Sequence, residues 1–367
     1  MKQTDILQKA VGKLEKHKEE KHLVVGFDGF IDEIIHVVDQ RKNSKEYKRI
    51  KDIKAFSERI ASVAGLSANI ELVPTQVKLG GNGPIMANAL ITQGQQITYI
   101  GAIGKHFIHP LFRPFSENCR KVISLAEPGH TDALEFYDGK LMFGKIHTMN
   151  EVSIENLLKK ISEKELTEIL GVTDMVAFTN WTMLENLNGV MDYFGKVIGS
   201  QKKKTSVFID LADPKKRTTK DIEKILELIS GYPCNTILSM NMSESTIIST
   251  VLGIKETEVL PRAMQIRENM GITGIVIHPV QGAAIAHEKE SVWIDGPYTK
   301  KPALSTGAGD NFNAGFCNAW LGGFSPGECI ITGVCTSGFY VRNAKSPTRT
   351  ELLGFMEQWL AADCGSI

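Results

Sequence analysis

The sequence predicts an α/β fold: a doubly wound, mostly parallel sheet flanked by helices, with a small β-sheet lid. Two observations carry this. Short apolar runs at 175–178, 207–211, 236–239 and 274–277 alternate with helical stretches of roughly ten residues or more. That alternation is the pattern of a parallel sheet with crossover helices. Outside it, the runs 133–137 and 141–146 flank Asp138-Gly139, a tight-turn pair that predicts a β-hairpin standing as a flap.

From the amino terminus, Ile6, Leu7, Ala10, Val11 and Leu14 fall at helical spacing within about 5–20 and predict a leading amphipathic helix. The run 23–26 predicts a first strand. Residues 30–38 continue as an apolar, strand-like stretch interrupted by Asp32, Glu33 and His36, and acidic groups on such a segment need a reason. A further strand is predicted at 96–104. Without a Pro- or Gly-rich linker, residues 1–367 read as one domain, with lid strands inserted at about 28–40 and 131–147. Ligands are expected at the carboxyl ends of the strands.

Lys plus Arg and Asp plus Glu each number 42, so nothing in the net charge draws the chain to nucleic acid or an anionic membrane, and any anion site is local. The six cysteines form no CxxC pair and have no zinc-like His spacing, which predicts reduced, mostly buried thiols. Residues 1–22 are charged throughout, and no later run is apolar for long enough to span a bilayer. A soluble, cytoplasmic protein is expected.

Chemistry concentrates in LSTGAGDNFNAGF at 304–316. Gly307, Ala308 and Gly309 carry little or no side chain, so their N–H groups, with the start of the helix that follows, can surround a phosphate. Asp310 stands at the same helix start, where a carboxylate is stabilised and could accept the proton of an attacking hydroxyl. Taken alone, such a GxGD is as well explained by a turn and a helix cap. Two other segments change that balance: GGNGPIMANALITQG at 80–94, a glycine pair opening a helix, and NMSE at 241–244, directly after an apolar strand.

In this order, the segments resemble the motifs of the ribokinase-like, or PfkB, carbohydrate kinases. The resemblance spans about residues 24–343 and implies a ribokinase-like fold that transfers the terminal phosphoryl of ATP to a hydroxyl of a sugar or sugar-like molecule. It implies Asp310 as general base and Gly307, Ala308 and Gly309 as anion hole. Gly80, Gly81 and Asn82 become substrate contacts, joined by Asp32 or Asp28 from GFDGFIDEI. Asn241 and Glu244 organise Mg²⁺ through water, and Gly282 and Asn343 line the nucleotide site. Relatives often pair through the flap, so a homodimer through the lid is implied. A phosphorylated substrate would need a cationic clamp, for which Lys140 and Lys145 are candidates.

Four positions depart from the family pattern: Ile85 replaces an Asn, Leu304 an acidic residue, and His278-Pro279 a Thr and Gly that touch phosphate. They leave open an ADP-dependent enzyme, or a binding homologue with weak or no transfer. Intact Asp310 and loop glycines argue for an enzyme. Which sugar, sugar acid, sugar phosphate or nucleoside is the acceptor is not in the sequence.

Overall fold

The computed structural model describes residues 2–16 and 19–365. Its strands are β1 (His22–Phe27), β2 (Phe30–Arg41), β3 (Tyr47–Arg49), β4 (Leu72–Gly80), β5 (Gln96–Gly101), β6 (Lys121–Ser124), β7 (Gly129–Glu135), β8 (Lys140–Lys145), β9 (Met175–Thr179), β10 (Ser206–Asp210), β11 (Thr236–Met240), β12 (Gly274–Ile277), β13 (Gly282–His287) and β14 (Ser291–Asp295). Nine form the main sheet in the order β14-β13-β12-β11-β10-β9-β1-β5-β6. From β6 to β12 neighbours are parallel; β13 and β14 add an antiparallel edge.

Period-two alternation distributes the core. Leu23, Val25, Ile97, Tyr99, Met175 and Phe208 face one helical layer, which includes Gln3–Lys16, Asn82–Thr92, Ala308–Leu321 and Pro326–Asn343. Val24, Phe27, Ile100, Val176, Phe178, Val207 and Ile209 face the other, with Leu187–Ser200 and Thr219–Ser230. Coverage on both faces explains why these strands read as unbroken apolar runs. The chain goes from β1 outward to β5 and β6, then resumes at β9 on the opposite side of β1, so the strand order reverses between β1 and β9. That reversal opens a crevice at their carboxyl ends.

The leading helix runs Gln3–Lys16 and buries all five predicted apolar residues; residues 17 and 18 of the predicted helix lie outside the described residues. The hairpin is β7 and β8. It belongs to a second sheet, β3-β2-β7-β8 with β4 also on β2, so β3 and β4 join the predicted lid segments. The helix Ile53–Ala61 contributes Phe56 to a small core with Ile35, Val37, Leu134 and Phe136. Only Asp28 and Gly29 separate β1 from β2, and the register of β2 shifts between Ile34 and Ile35 against β4, and between Val38 and Gln40 against β3.

Cys317, Cys329 and Cys335 are buried and the other three cysteines half-buried, all six unpaired. Among the described residues no helix is long and apolar enough to cross a membrane.

Candidate active site

Asp310 occupies the first turn of the helix Ala308–Leu321, whose cap, Gly307, has φ +90°. An L side chain is strained there, and a Cβ would stand 2.8 Å from the Tyr340 hydroxyl, which donates to the Thr306 carbonyl. The loop must therefore turn on glycine for the helix to start where it does. Asp310 is 6% exposed, and its Oδ1 accepts from Asn82 Nδ2 at 2.9 Å. Burial holds its carboxyl well above the usual range, and the charge of Asp210 pushes it further, followed by Asp28 and Glu244; the Asn82 bond opposes them. The arrangement gives a carboxylate with high proton affinity at the positive end of a helix.

The glycine turn of 80–82 meets Asp310 from the other side. A Cβ on Gly80 would lie 2.3 Å from Asp32 Oδ2, so the missing side chain makes room for that carboxylate. Asp32 is 7% exposed, on β2 between Lys78 and Thr131. Burial raises its proton affinity, offset by a bond from Thr131 and the Lys78 charge.

Asp28, four residues earlier, is placed differently. It is fully buried, with Oδ1 accepting from Gly83 N–H and Oδ2 from both Asn82 N–H and Asn180 Nδ2. This anchors the start of Asn82–Thr92 and leaves no exposed edge for a substrate. Burial lifts its pKa to about 6 in spite of those donors.

Asn241 and Glu244 form a reciprocal capping box: Glu244 Oε2 accepts from Asn241 N–H and Oε1 from Asn241 Nδ2, while Asn241 Oδ1 accepts from Glu244 N–H. Glu244 is pushed up to about 8, first by burial and then by Asp210. Asp210 ends β10, 6% exposed, accepting from Ala212 N–H and from Asn313 Nδ2. Sequence reasoning missed it; the available signal was an acid closing an apolar strand. Three carboxylates that disfavour one another's ionisation suit a nearby cation. Among the described residues no set of three or more acidic, His or Cys side chains is spaced to grip an ion directly, and both Glu244 oxygens are occupied. A hydrated Mg²⁺, which keeps several of its waters, is the kind of cation whose charge this carboxylate cluster would attract.

Beside the Gly307–Gly309 loop lies a mainly apolar cavity of about 340 Å³, lined by Asn241, Gly282, Ala308, Gly309, Ser337 and Val341 among others. Gly282 and Asn241 share this cavity with the loop. Asn343 lies elsewhere: it lines a separate depression with Phe339, Arg342 and Glu351, and its amide caps the Phe339 carbonyl, because two residues, about half a helical turn, carry it to the other side of the helix from Val341. His278 stacks on Phe312 at 4.7 Å and lines the cavity; burial lowers its pKa to about 4, so it is neutral. Lys140 pairs with Glu135 and Lys145 with Asp132, which commits both candidate clamps within the second sheet.

The prokaryotic ketohexokinase family model matches residues 2–359. A ketohexokinase from Haloferax volcanii is 24% identical over 346 residues, 92% of this chain and 91% of that protein. Solved structures with the same fold include an adenosine kinase from Sinorhizobium meliloti (13% identity, TM-score 0.68, covering 93% of this chain and 99% of the other). A ribokinase from Thermotoga maritima (18%, 0.64, 92% and 100%) and an Arabidopsis thaliana ribokinase complexed with ribose and ATP (17%, 0.65, 92% and 99%) are likewise similar. With the family match running through every motif of the site, the chain belongs to the prokaryotic ketohexokinase family and is a carbohydrate kinase with the ribokinase fold.

Proposed function

We propose that this enzyme transfers the terminal phosphoryl group of ATP to a hydroxyl of a ketohexose, with Asp310 as general base. One observation carries the reading: the Asp310 carboxylate sits where the start of Ala308–Leu321 meets the start of Asn82–Thr92, bonded to Asn82. A single group thus faces the glycine turn suited to a sugar and the loop suited to phosphate. The sugar is held by Asp32, Gly80, Gly81 and Asn82, with Asp28 behind the turn as its anchor.

Asp310 takes the proton of the acceptor hydroxyl as its oxygen bonds to the terminal phosphorus, and the bond to the leaving ADP oxygen breaks. The N–H groups of Gly307, Ala308 and Gly309 hold the charge on the moving phosphoryl, with the nucleotide in the adjoining cavity, Gly282 and Asn241 on its wall. Mg²⁺, held through water by Glu244 with Asp210 near, supplies charge neutralisation when bound. The second sheet serves as lid within one kinase unit and excludes water. Exposed Val77, Met142 and Phe143 on that sheet support a homodimer through it, and six unpaired cysteines support a reducing, cytoplasmic setting.

The test is initial-rate phosphorylation of fructose against other ketoses, aldoses, sugar acids and nucleosides, with ATP and ADP as separate donors. Asp310→Asn is expected to lower kcat at least about 10³-fold with sugar affinity retained. Near-normal turnover in that variant removes Asp310 from the chemistry.

A further inference from the structure

The crevice between β1 and β9 holds a residue that the reaction as described does not use. Asn180 directly follows β9 and is 5% exposed. Its Nδ2 donates to Asp28 Oδ2 at 2.7 Å; a carboxylate only accepts, so the atom facing it is the amide nitrogen. The backbone is left-handed at φ +57°, ψ +43°, a region that Asn enters more readily than most non-glycine residues. The placement carries one cost. The Oδ1 atom is buried with no hydrogen-bond partner, which disfavours an amide relative to an apolar side chain. What the side chain gains is the bond to Asp28.

That bond leads to the chemistry in three steps. Asp28 also accepts from the N–H groups of Asn82 and Gly83, the first two residues of Asn82–Thr92. Asn82 Nδ2 in turn donates to Asp310 Oδ1. A continuous line of hydrogen bonds therefore runs from the end of β9, across the end of β1, through one helix start to the base on another. Asn180 N–H is fixed by the Asp210 carbonyl at 3.0 Å, so the far end of the line is tied to the main sheet and not to the lid.

The geometry points to Asn180 as a positioning residue for phosphoryl transfer, acting through Asp28 and Asn82 to set the orientation of Asp310. This rests on Asp310 being the base. Unlike a core residue, Asn180 has a role legible in pH. The groups facing Asp28 are Tyr99 of β5, whose hydroxyl donates to the Asp28 carbonyl, and the carboxylate of Asp310. The Asn180 amide is the foremost of the donors holding Asp28 ionised. Its removal favours protonated Asp28, which accepts poorly from Asn82 and Gly83.

The experiment compares Asn180→Gly, which suits the left-handed backbone, and Asn180→Asp, which keeps the size but sets an acceptor against Asp28. Both are measured beside Asp310→Asn, with thermal unfolding as a check on folding. Expected for Asn180→Gly is a fall in kcat of roughly ten- to a hundredfold, KM for ATP within about twofold, and an acidic limb of the kcat profile moved to higher pH. Asn180→Asp is expected to be slower still at pH 7 and to recover relative to wild type as pH falls and the carboxyl pair takes up a shared proton. A folded Asn180→Gly with wild-type kcat and pH profile overturns the proposal even where Asp310→Asn is inactive. Active Asp310→Asn overturns the parent reading instead.

Discussion

Gly80→Ala tests whether the second sheet carries the sugar contact. The new Cβ would lie 2.3 Å from Asp32 Oδ2, 2.4 Å from its Cγ and 2.6 Å from Oδ1, against 3.4 Å for ordinary contact. The carboxylate must therefore retreat by about 1 Å, a displacement that at a reacting centre can cost about a hundredfold. The backbone need not move, because the nearest atoms belong to a side chain and the pairing of Gly80 with Phe30 is untouched. Losing one charge-assisted hydrogen bond to a sugar hydroxyl is worth about 1.5–3 kcal/mol, which agrees with that factor. In an assay coupled to ADP release, kcat/KM for the sugar should fall about ten- to a hundredfold. The KM for ATP should stay within about twofold, since the nucleotide cavity is lined by other elements. An unchanged sugar kcat/KM refutes the reasoning and removes Asp32 from the sugar site. Equal losses for both substrates would show a general disturbance.

Two further predictions address the nucleotide side and stability. Ser337→Phe projects a ring into the 340 Å³ cavity and should raise KM for ATP more than about tenfold while sparing that for the sugar, measured by the same assay. His278 is held neutral, its pKa lowered by burial from 6.5 to about 4. The unfolded chain therefore binds the extra proton between those values, and stability present above pH 6.5 is lost as pH falls toward 4. The loss is roughly 3 kcal/mol, and His278→Gln should not show it when unfolding by urea is followed from pH 7 to 4.

Legibility in the sequence followed how local each cause was. The loop at 307–310 and the glycine pair at 80–81 are contiguous, and the roles proposed for them depend on backbone N–H groups and missing side chains, so composition reveals them. The main strands were legible because helices cover both faces and leave unbroken apolar runs. β4 was not: LVPTQVKLG is largely exposed, contains Pro74, and is a strand only because β2 offers an edge. GFDGFIDEI offers both Asp28 and Asp32, with distance from the strand start favouring Asp32; what sets Asp28 apart in the fold includes Asn180, 152 residues away, which no local pattern contains. Asn343, two residues beyond Val341, is carried by the helical period away from the cavity Val341 lines, which a linear motif does not show. NMSE was readable both as a helix cap and as an ion-organising pair, and Glu244 is visibly the first while being chemically suited to the second.

The short passage from β1 to β2 determines where the molecule can bend. Gly29 packs so tightly that a Cβ there would be 2.0 Å from the Ala102 carbonyl oxygen, and Asp28 beside it is tethered on three sides. The root of β2 is thus a weld and not a hinge. The pairing of β2 first breaks register at Ile34/Ile35 against β4 and at Val38/Gln40 against β3, beyond Asp32. Asp32, proposed to hold the sugar, therefore lies on the main-sheet side of those breaks.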